Sequence, residues 1–278
     1  MVLVPMQPEL TALARVPGSF FARNLVTRRS LLVQLVRRDF EQRFVGSAGG
    51  WLWGLIHPLV LLASWTFVFQ FCLKVQIEPQ QNYTLFLFSG FVPWLLFQDT
   101  VQRSATCVVE NAGLIKKTVF PVEFIPTSIL LSSLIHHLIS VVLAIIAVAI
   151  VLERWTFVLA VLPLYAALLG LFSLGVGWIV SGLEVYVRDT KQILSVVLTF
   201  WFWLTPILVA EQQVPARFRF LLMINPLAYT VRAYREILLW GRVPALTESV
   251  ILGMYALLAF ACGGVFFRHL KRGFADVL

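Results

Sequence analysis

Few groups in this chain suit acid–base, nucleophilic or metal chemistry, and their spacing joins none of them into a reacting set. The chain has four histidines and three cysteines. His136 and His137 are adjacent, so on a helix they point about 100° apart. No Cys or carboxylate shares their apolar run, which excludes a metal site there. His57 precedes Pro58 about one turn inside an apolar run, where it is either a packed interfacial histidine or an intramembrane functional one. Cys72, Cys107 and Cys262 sit in or beside apolar runs, without disulfide-framework or metal-ligand spacing, and read as small packing residues. A membrane-embedded lipid-processing enzyme would need clustered carboxylates or histidines within its apolar runs, and the long runs here lack carboxylates. What remains is non-covalent chemistry. Trp51, Trp53, Trp65, Trp201 and Trp203 offer flat apolar faces with a polar edge for stacking, or alternatively an interfacial aromatic belt. Arg232 and Arg235 offer planar donor forks.

The elements that carry these residues are membrane elements. Of 278 residues, 59% are hydrophobic and 13% charged, with a mean hydropathy of +0.86. A soluble domain carries roughly twice that charged share. Six apolar runs, 51–73, 83–106, 124–152, 155–183, 192–210 and 249–267, are read as transmembrane helices, each near the roughly 20 residues a span needs. The expected fold is an all-α integral membrane protein. The net charge of +8 is concentrated beside these runs, where anionic lipid accounts for it, so no nucleic-acid partner is implied. Residues 1–27 contain Pro5, Pro8 and Pro17 and no periodicity, and predict an irregular lead without a cleavable signal peptide. Residues 28–46 predict an amphipathic helix lying in the membrane interface, with Leu32, Val33, Val36, Phe40 and Phe44 on one face. Asp39–Arg43, Arg37–Glu41 and Asp99–Arg103 are expected intrahelical pairs.

Two segments depart from the simple pattern. Residues 110–123 lie between spans and hold Lys116 and Lys117, flanked by the apolar Leu114, Ile115 and Phe120. Asn111 is a candidate cap for a short helix here and Pro121 its stop. Such a helix can press into a groove on a soluble partner, or the segment is only a connector. Residues 211–248 form neither a polar loop nor a full span, since their apolar stretch 218–231 is too short to cross. Asn225-Pro226 divides them into two short helices that dip into the outer half of the membrane and return. Tyr229, Arg232, Arg235 and Glu236 lie on the second of these. With both termini inside, fifteen of the 22 Lys and Arg residues are cytoplasmic, which favours that orientation. Five of the seven outer exceptions fall between Arg217 and Arg242.

Taken in order, RRDFEQRFVGSAGGWLWGLIHP (37–58), FSGFVPWLLF (88–97), ENAGLIKKTVFPVEFIP (110–126), VRDTKQIL (187–194), FWFWLTPIL (200–208), NPLAYTVRAYREILL (225–239) and FADVL (274–278) resemble the membrane subunit of ABC-2-type polysaccharide exporters, the permeases for O-antigen, capsule and teichoic acid. The resemblance implies an interface helix, six spans and two re-entrant outer gate helices between spans five and six. It makes Asn111, Leu114, Ile115, Lys116, Lys117 and Phe120 a coupling helix against an ATPase. It makes Tyr229, Arg232, Arg235 and Glu236 outer-gate residues that meet an anionic group or sugar hydroxyls. The implied assembly is two copies of this chain with two ABC ATPase subunits in the bacterial inner membrane, moving a lipid-linked glycan. No G-x-x-x-x-G-K-[ST] phosphate loop occurs in the sequence, so ATP and magnesium are expected on the partner and no cofactor on this chain. A small hydrophobic molecule or drug as cargo is the alternative within the same superfamily.

Overall fold

In the computed structural model, residues 28–43, 49–75, 82–117, 120–153 and 155–278 are described, and among them every regular element is a helix. The elements are α1 (Arg29–Gln42), α2 (Trp53–Thr66), α3 (Tyr83–Glu110), α4 (Ala112–Lys117), α5 (Phe124–Leu152), α6 (Leu162–Tyr186), α7 (Thr190–Leu204), α8 (Arg219–Met223), α9 (Pro226–Arg235), α10 (Leu246–Leu270) and α11 (Phe274–Val277). Wider π-type turns, Phe67–Cys72 and Glu236–Trp240, continue α2 and α9. Four of the helical stretches are long and apolar enough to cross a membrane: Tyr83–Glu110, Phe124–Leu152, Phe157–Tyr186 and Leu246–Gly273. The apolar stretches Pro58–Cys72 and Thr190–Leu204 are shorter. The expected lead 1–27 lies outside the described residues, as does Phe44.

The bundle is built around α3. Leu87, Val92, Phe97, Val101 and Val108 have no exposed surface, and α5, α6 and α9 pack against this helix. Asn82 starts α3, its side chain accepting from Leu85 N at 3.3 Å. α6 and α10 form the tightest crossing. A Cβ on Gly175 would stand 2.2 Å from Ala259 O, and one on Gly263 would stand 2.1 Å from Gly175 O. Backbones that close require both glycines, the small-residue packing that lipid-embedded helices use. Elsewhere on α6, Gly177 abuts Ser104 and Gly182 abuts Leu270, whereas Gly170 has ordinary clearance from Leu130.

Several helix limits move from their expected places. α3 runs one turn further, to Glu110, and α6 begins at Leu162 after a 3-10 turn, Phe157–Val161. α7 stops at Leu204, short of residue 210. Pro206 biases the residue before it away from helix, and Thr205 is extended. The short helices at 211–248 form as the sequence suggests, with Asn225 capping α9 by accepting from Leu227 N at 3.0 Å and Pro226 at the first helical position.

Packing α1 corrects its expected face. Leu32 and Leu35 are buried with Phe124, while Val33 is exposed. The helix therefore turns a face centred between Leu32 and Leu35 to the bundle, because that is where Phe124 offers apolar area.

Substituting Gly175→Leu or Gly263→Val forces α6 and α10 apart. The expected cost is at least about 1–3 kcal/mol of overpacking, read as a lower unfolding temperature in detergent. Gly253→Ala, where an added Cβ meets nothing within 4 Å, is expected to leave it unchanged.

Candidate functional site

Two cavities flank α2 where it lies over α3. The first is a groove of ≈ 370 Å³ between α2, α3 and α7. Its walls are aromatic: Trp65 meets Phe91 edge-on with ring centres 4.8 Å apart and Phe202 at 5.2 Å, and Trp94 meets Phe202 at 5.3 Å. Polar groups enter mainly from α3, with Thr199 contributed by α7. Phe91, Trp94, Gln98 and Gln102 recur at helical spacing on one stripe, and Asp99 stands beside it. Trp94 Nε1 donates to Gln98 Oε1 at 2.6 Å, fixing both side chains. An aromatic wall with amide and carboxylate edges suits a ring carrying an apolar face and hydroxyl rims.

The second cavity, ≈ 400 Å³, lies between α2, α3 and α5, and its lining includes Arg43, Trp53, Arg103, Ser133 and His136. Asp99 and Leu95 line both cavities. Here the expected intrahelical pairs give way to pairs between helices. Arg43 bonds Asp99, and Arg103 Nη2 donates to Asp39 Oδ1 at 2.5 Å. Arg103 reaches Asp99 only at 3.9 Å. Burial pulls the Arg43 guanidinium below its ordinary range, with Asp99 opposing that shift. Arg43 also donates to Ser133 Oγ at 3.2 Å. The pair Arg37–Glu41 forms as expected, at 2.7 Å on the exposed face.

The 110–123 segment is tied to α1. Asn111 ends α3, and its backbone carbonyl accepts from Leu114 N and Ile115 N. Its side chain does not cap α4. Instead Asn111 Oδ1 accepts from Arg38 Nη2 at 2.6 Å, and its Nδ2 donates to Cys107 O at 2.8 Å. Leu114 is half-buried, Lys116 is exposed, and Ile115 and Phe120 pack against the core. The side chain of Lys117 lies outside the described residues.

The anticipated tryptophans separate. Trp65 lines the groove. Trp53 is exposed at the second cavity, and Trp203 is exposed on α7. Trp201 lies behind the groove wall, edge-on to Phe97, its Nε1 donating to Asn225 Oδ1 at 2.9 Å. Trp51 falls in the 3-10 turn Gly50–Leu52, and its side chain lies outside the described residues. Sequence reasoning missed Phe91, Trp94 and Asp99 as groove residues. The α3 stripe was the available signal for the first two.

Arg232 and Arg235 also part company. Arg232 does not pair with Glu236. It donates to Glu211 Oε1 at 2.6 Å and Glu248 Oε1 at 2.7 Å, and lies over the Tyr229 ring. Desolvation disfavours its charge, but the two carboxylates overcome that and raise its pKa. Arg235 is 3% exposed. Its guanidinium sits 3.5 Å from the Phe86 ring centre, and Nη2 donates to Ile207 O at 2.9 Å. Gly90 leaves it room, since a Cβ there would come within 2.9 Å of Nη2.

The family model for the ABC-2 type transporter matches residues 30–239. The chain is 32% identical over 250 residues to the O-antigen export system permease protein RfbA of Klebsiella pneumoniae, covering 89% of this chain and 95% of that one. It is 26% identical over 257 residues to the protein of the same name from Myxococcus xanthus, covering 91% and 97%. Against the polysialic acid transport protein KpsM of Escherichia coli it is 24% identical over 237 residues, covering 84% and 91%.

The Arg232 cluster makes a direct prediction. Arg232→Gln leaves Glu211 and Glu248 without their shared cation, at a cost of about 1–3 kcal/mol. Thermal unfolding in detergent is expected to fall by several degrees, whereas Glu236→Gln is expected to change it by less than one.

Proposed function

This chain belongs to the ABC-2 type transporter family, and we propose that it is the permease subunit of an ATP-driven exporter of a lipid-linked polysaccharide. The observation that carries this reading is the match to O-antigen export permeases, which extends over nearly the whole length of both chains. Membership makes the chain a multi-pass membrane protein and a subunit that forms a path rather than an enzyme. The finer parts belong to the proposal. Two copies assemble with two ABC ATPase subunits in the bacterial inner membrane, both termini cytoplasmic. α2, α3, α5, α6, α7 and α10 are the six spans, and α8 and α9 are short re-entrant helices on the outer side.

On this reading the aromatic groove beside α2 is the surface that sugar rings pass. It lies open along α2 and α7, whose outward faces carry exposed Val60, Phe67, Val196 and Trp203. α4 receives the stroke of the ATPase. Lys116 and Leu114 are its outward contacts, while Ile115 and Phe120 seat it on the bundle. Arg232 braces α9 against Glu211 and Glu248. Arg235 holds the unwound chain after α7 and does not meet the cargo.

The purified chain is expected to hydrolyse no ATP by itself and to co-purify with an ATPase subunit in equal number. Trp65→Ala and Phe202→Ala are expected to cut export of lipid-linked glycan about tenfold, the size of a lost 1.4 kcal/mol, while the complex still assembles. ATP turnover by this chain alone, or unimpaired export by both variants, contradicts the reading. ATPase stimulation by hydrophobic drugs but not by lipid-linked glycan identifies small-molecule cargo instead.

A further inference from the structure

Asp99 occupies the wall between the two cavities, and neither the family match nor the groove explains why a carboxylate should sit there. Its surroundings give it two sides. On one, Oδ2 accepts from Arg43 and, at 2.5 Å, from Ser133 Oγ. On the other, the side chain remains 35% exposed and lines the aromatic groove with Gln98 and Gln102. An ionised carboxylate has about four acceptor sites, so the donors on Oδ2 leave capacity facing the groove.

Arg43 closes α1, and α1 is also bonded to the start of α4 through Arg38 and Asn111. The chain of contacts therefore runs from groove to Asp99 to Arg43 to α1, and from Arg38 to Asn111 beside α4. A hydroxyl donating from the groove to the remaining capacity of Asp99 draws on the charge of the same carboxylate that Arg43 and Ser133 bond, so it weakens both of those bonds without displacing either. Any sugar that gains this bond weakens the hold of α3 on the end of α1.

We propose that Asp99 reads the presence of a glycan by accepting a sugar hydroxyl in the aromatic groove and relays it through Arg43 and α1 to the ATPase-facing helix α4. The proposal rests on the reading of that groove as the glycan path. Arg43 and Ser133 lie outside the groove and act as positioning residues. They set how strongly Asp99 is held, and so how readily it turns to cargo.

The test uses the permease–ATPase complex in nanodiscs, with radiolabelled lipid-linked polysaccharide extracted from the producing cell as probe. Binding and glycan-stimulated ATP turnover are measured separately. Arg43→Gln is expected to keep glycan affinity at or above the wild-type value while losing most of the stimulation. Asp99→Asn is expected to lose stimulation and to bind about fivefold more weakly, a charge-assisted hydrogen bond having become a neutral one. Ser133→Ala removes one donor that draws on the Asp99 charge and is expected to tighten binding about threefold, opposite in sign to damage by misfolding. Wild-type stimulation in Arg43→Gln, or unchanged or weaker binding in Ser133→Ala, overturns the relay. Trp65→Ala separates the two failures. If it weakens binding while the Asp99, Arg43 and Ser133 variants behave as wild type, the relay alone falls. If Trp65→Ala binds normally, or the wild type binds no glycan, the groove reading falls and takes the relay with it.

Discussion

The structure depends on an exchange of ionic partners between two helices. α1 and α3 each carry an acid and a base four residues apart, Asp39 and Arg43 on one, Asp99 and Arg103 on the other. Each could satisfy its own charges along its own helix, for a few tenths of a kcal/mol. They cross over instead, Arg103 to Asp39 and Arg43 to Asp99. At a partly desolvated site an unpaired charge is costly, so each side chain needs its partner on the other helix. The crossed pairs fix α1 in register on the bundle, with Leu32 and Leu35 seated on Phe124. Helix α1 in turn holds Asn111 at the start of α4.

The opposite end of the bundle follows the same rule with backbone groups. α7 ends at Leu204, leaving an irregular stretch of turns and bends whose carbonyls have no helical partner. Side chains supply them. Tyr83 donates to Leu208 O at 2.9 Å, and Arg235 to Ile207 O. Asn225 Nδ2 donates to Leu204 O at 3.5 Å and to the Thr205 hydroxyl at 3.0 Å. In an apolar setting an orphaned carbonyl costs several kcal/mol, and irregular chain survives where protein satisfies it. The aromatic groove is held between these two ends, since Trp65 and Trp94 both lean on Phe202 of α7.

Hydropathy made the apolar helices legible, and local chemistry made the break at Asn225-Pro226 legible, whereas Pro206 lay inside the expected span 192–210 that stops at Leu204. The contact of Gly175 with Gly263 was not legible, because the two glycines lie on helices far apart along the chain. What the sequence left hidden is choice of partner. An acid and a base four residues apart look complete in one dimension, so Asp99 and Arg103 conceal the cross-helix pairs. The partners of Arg232, Glu211 and Glu248, are likewise hidden, because they are distant along the chain. Arg235 reads as an exposed gate residue because burial of an arginine depends on Phe86, Gly90 and Ile207, which come from elsewhere in the fold. Tryptophan count drew attention to Trp201 and Trp203, whereas the helical stripe on α3 marked Phe91 and Trp94.

Charge exchange tests the central dependence most directly. Asp39→Arg and Arg103→Asp each break one crossed pair, and together they rebuild it in reverse. Export of lipid-linked glycan by the complex is expected to drop at least about tenfold in either single variant, and to recover to within about threefold of wild type in the double. A double variant no better than the worse single, or single variants that export normally, would contradict the account.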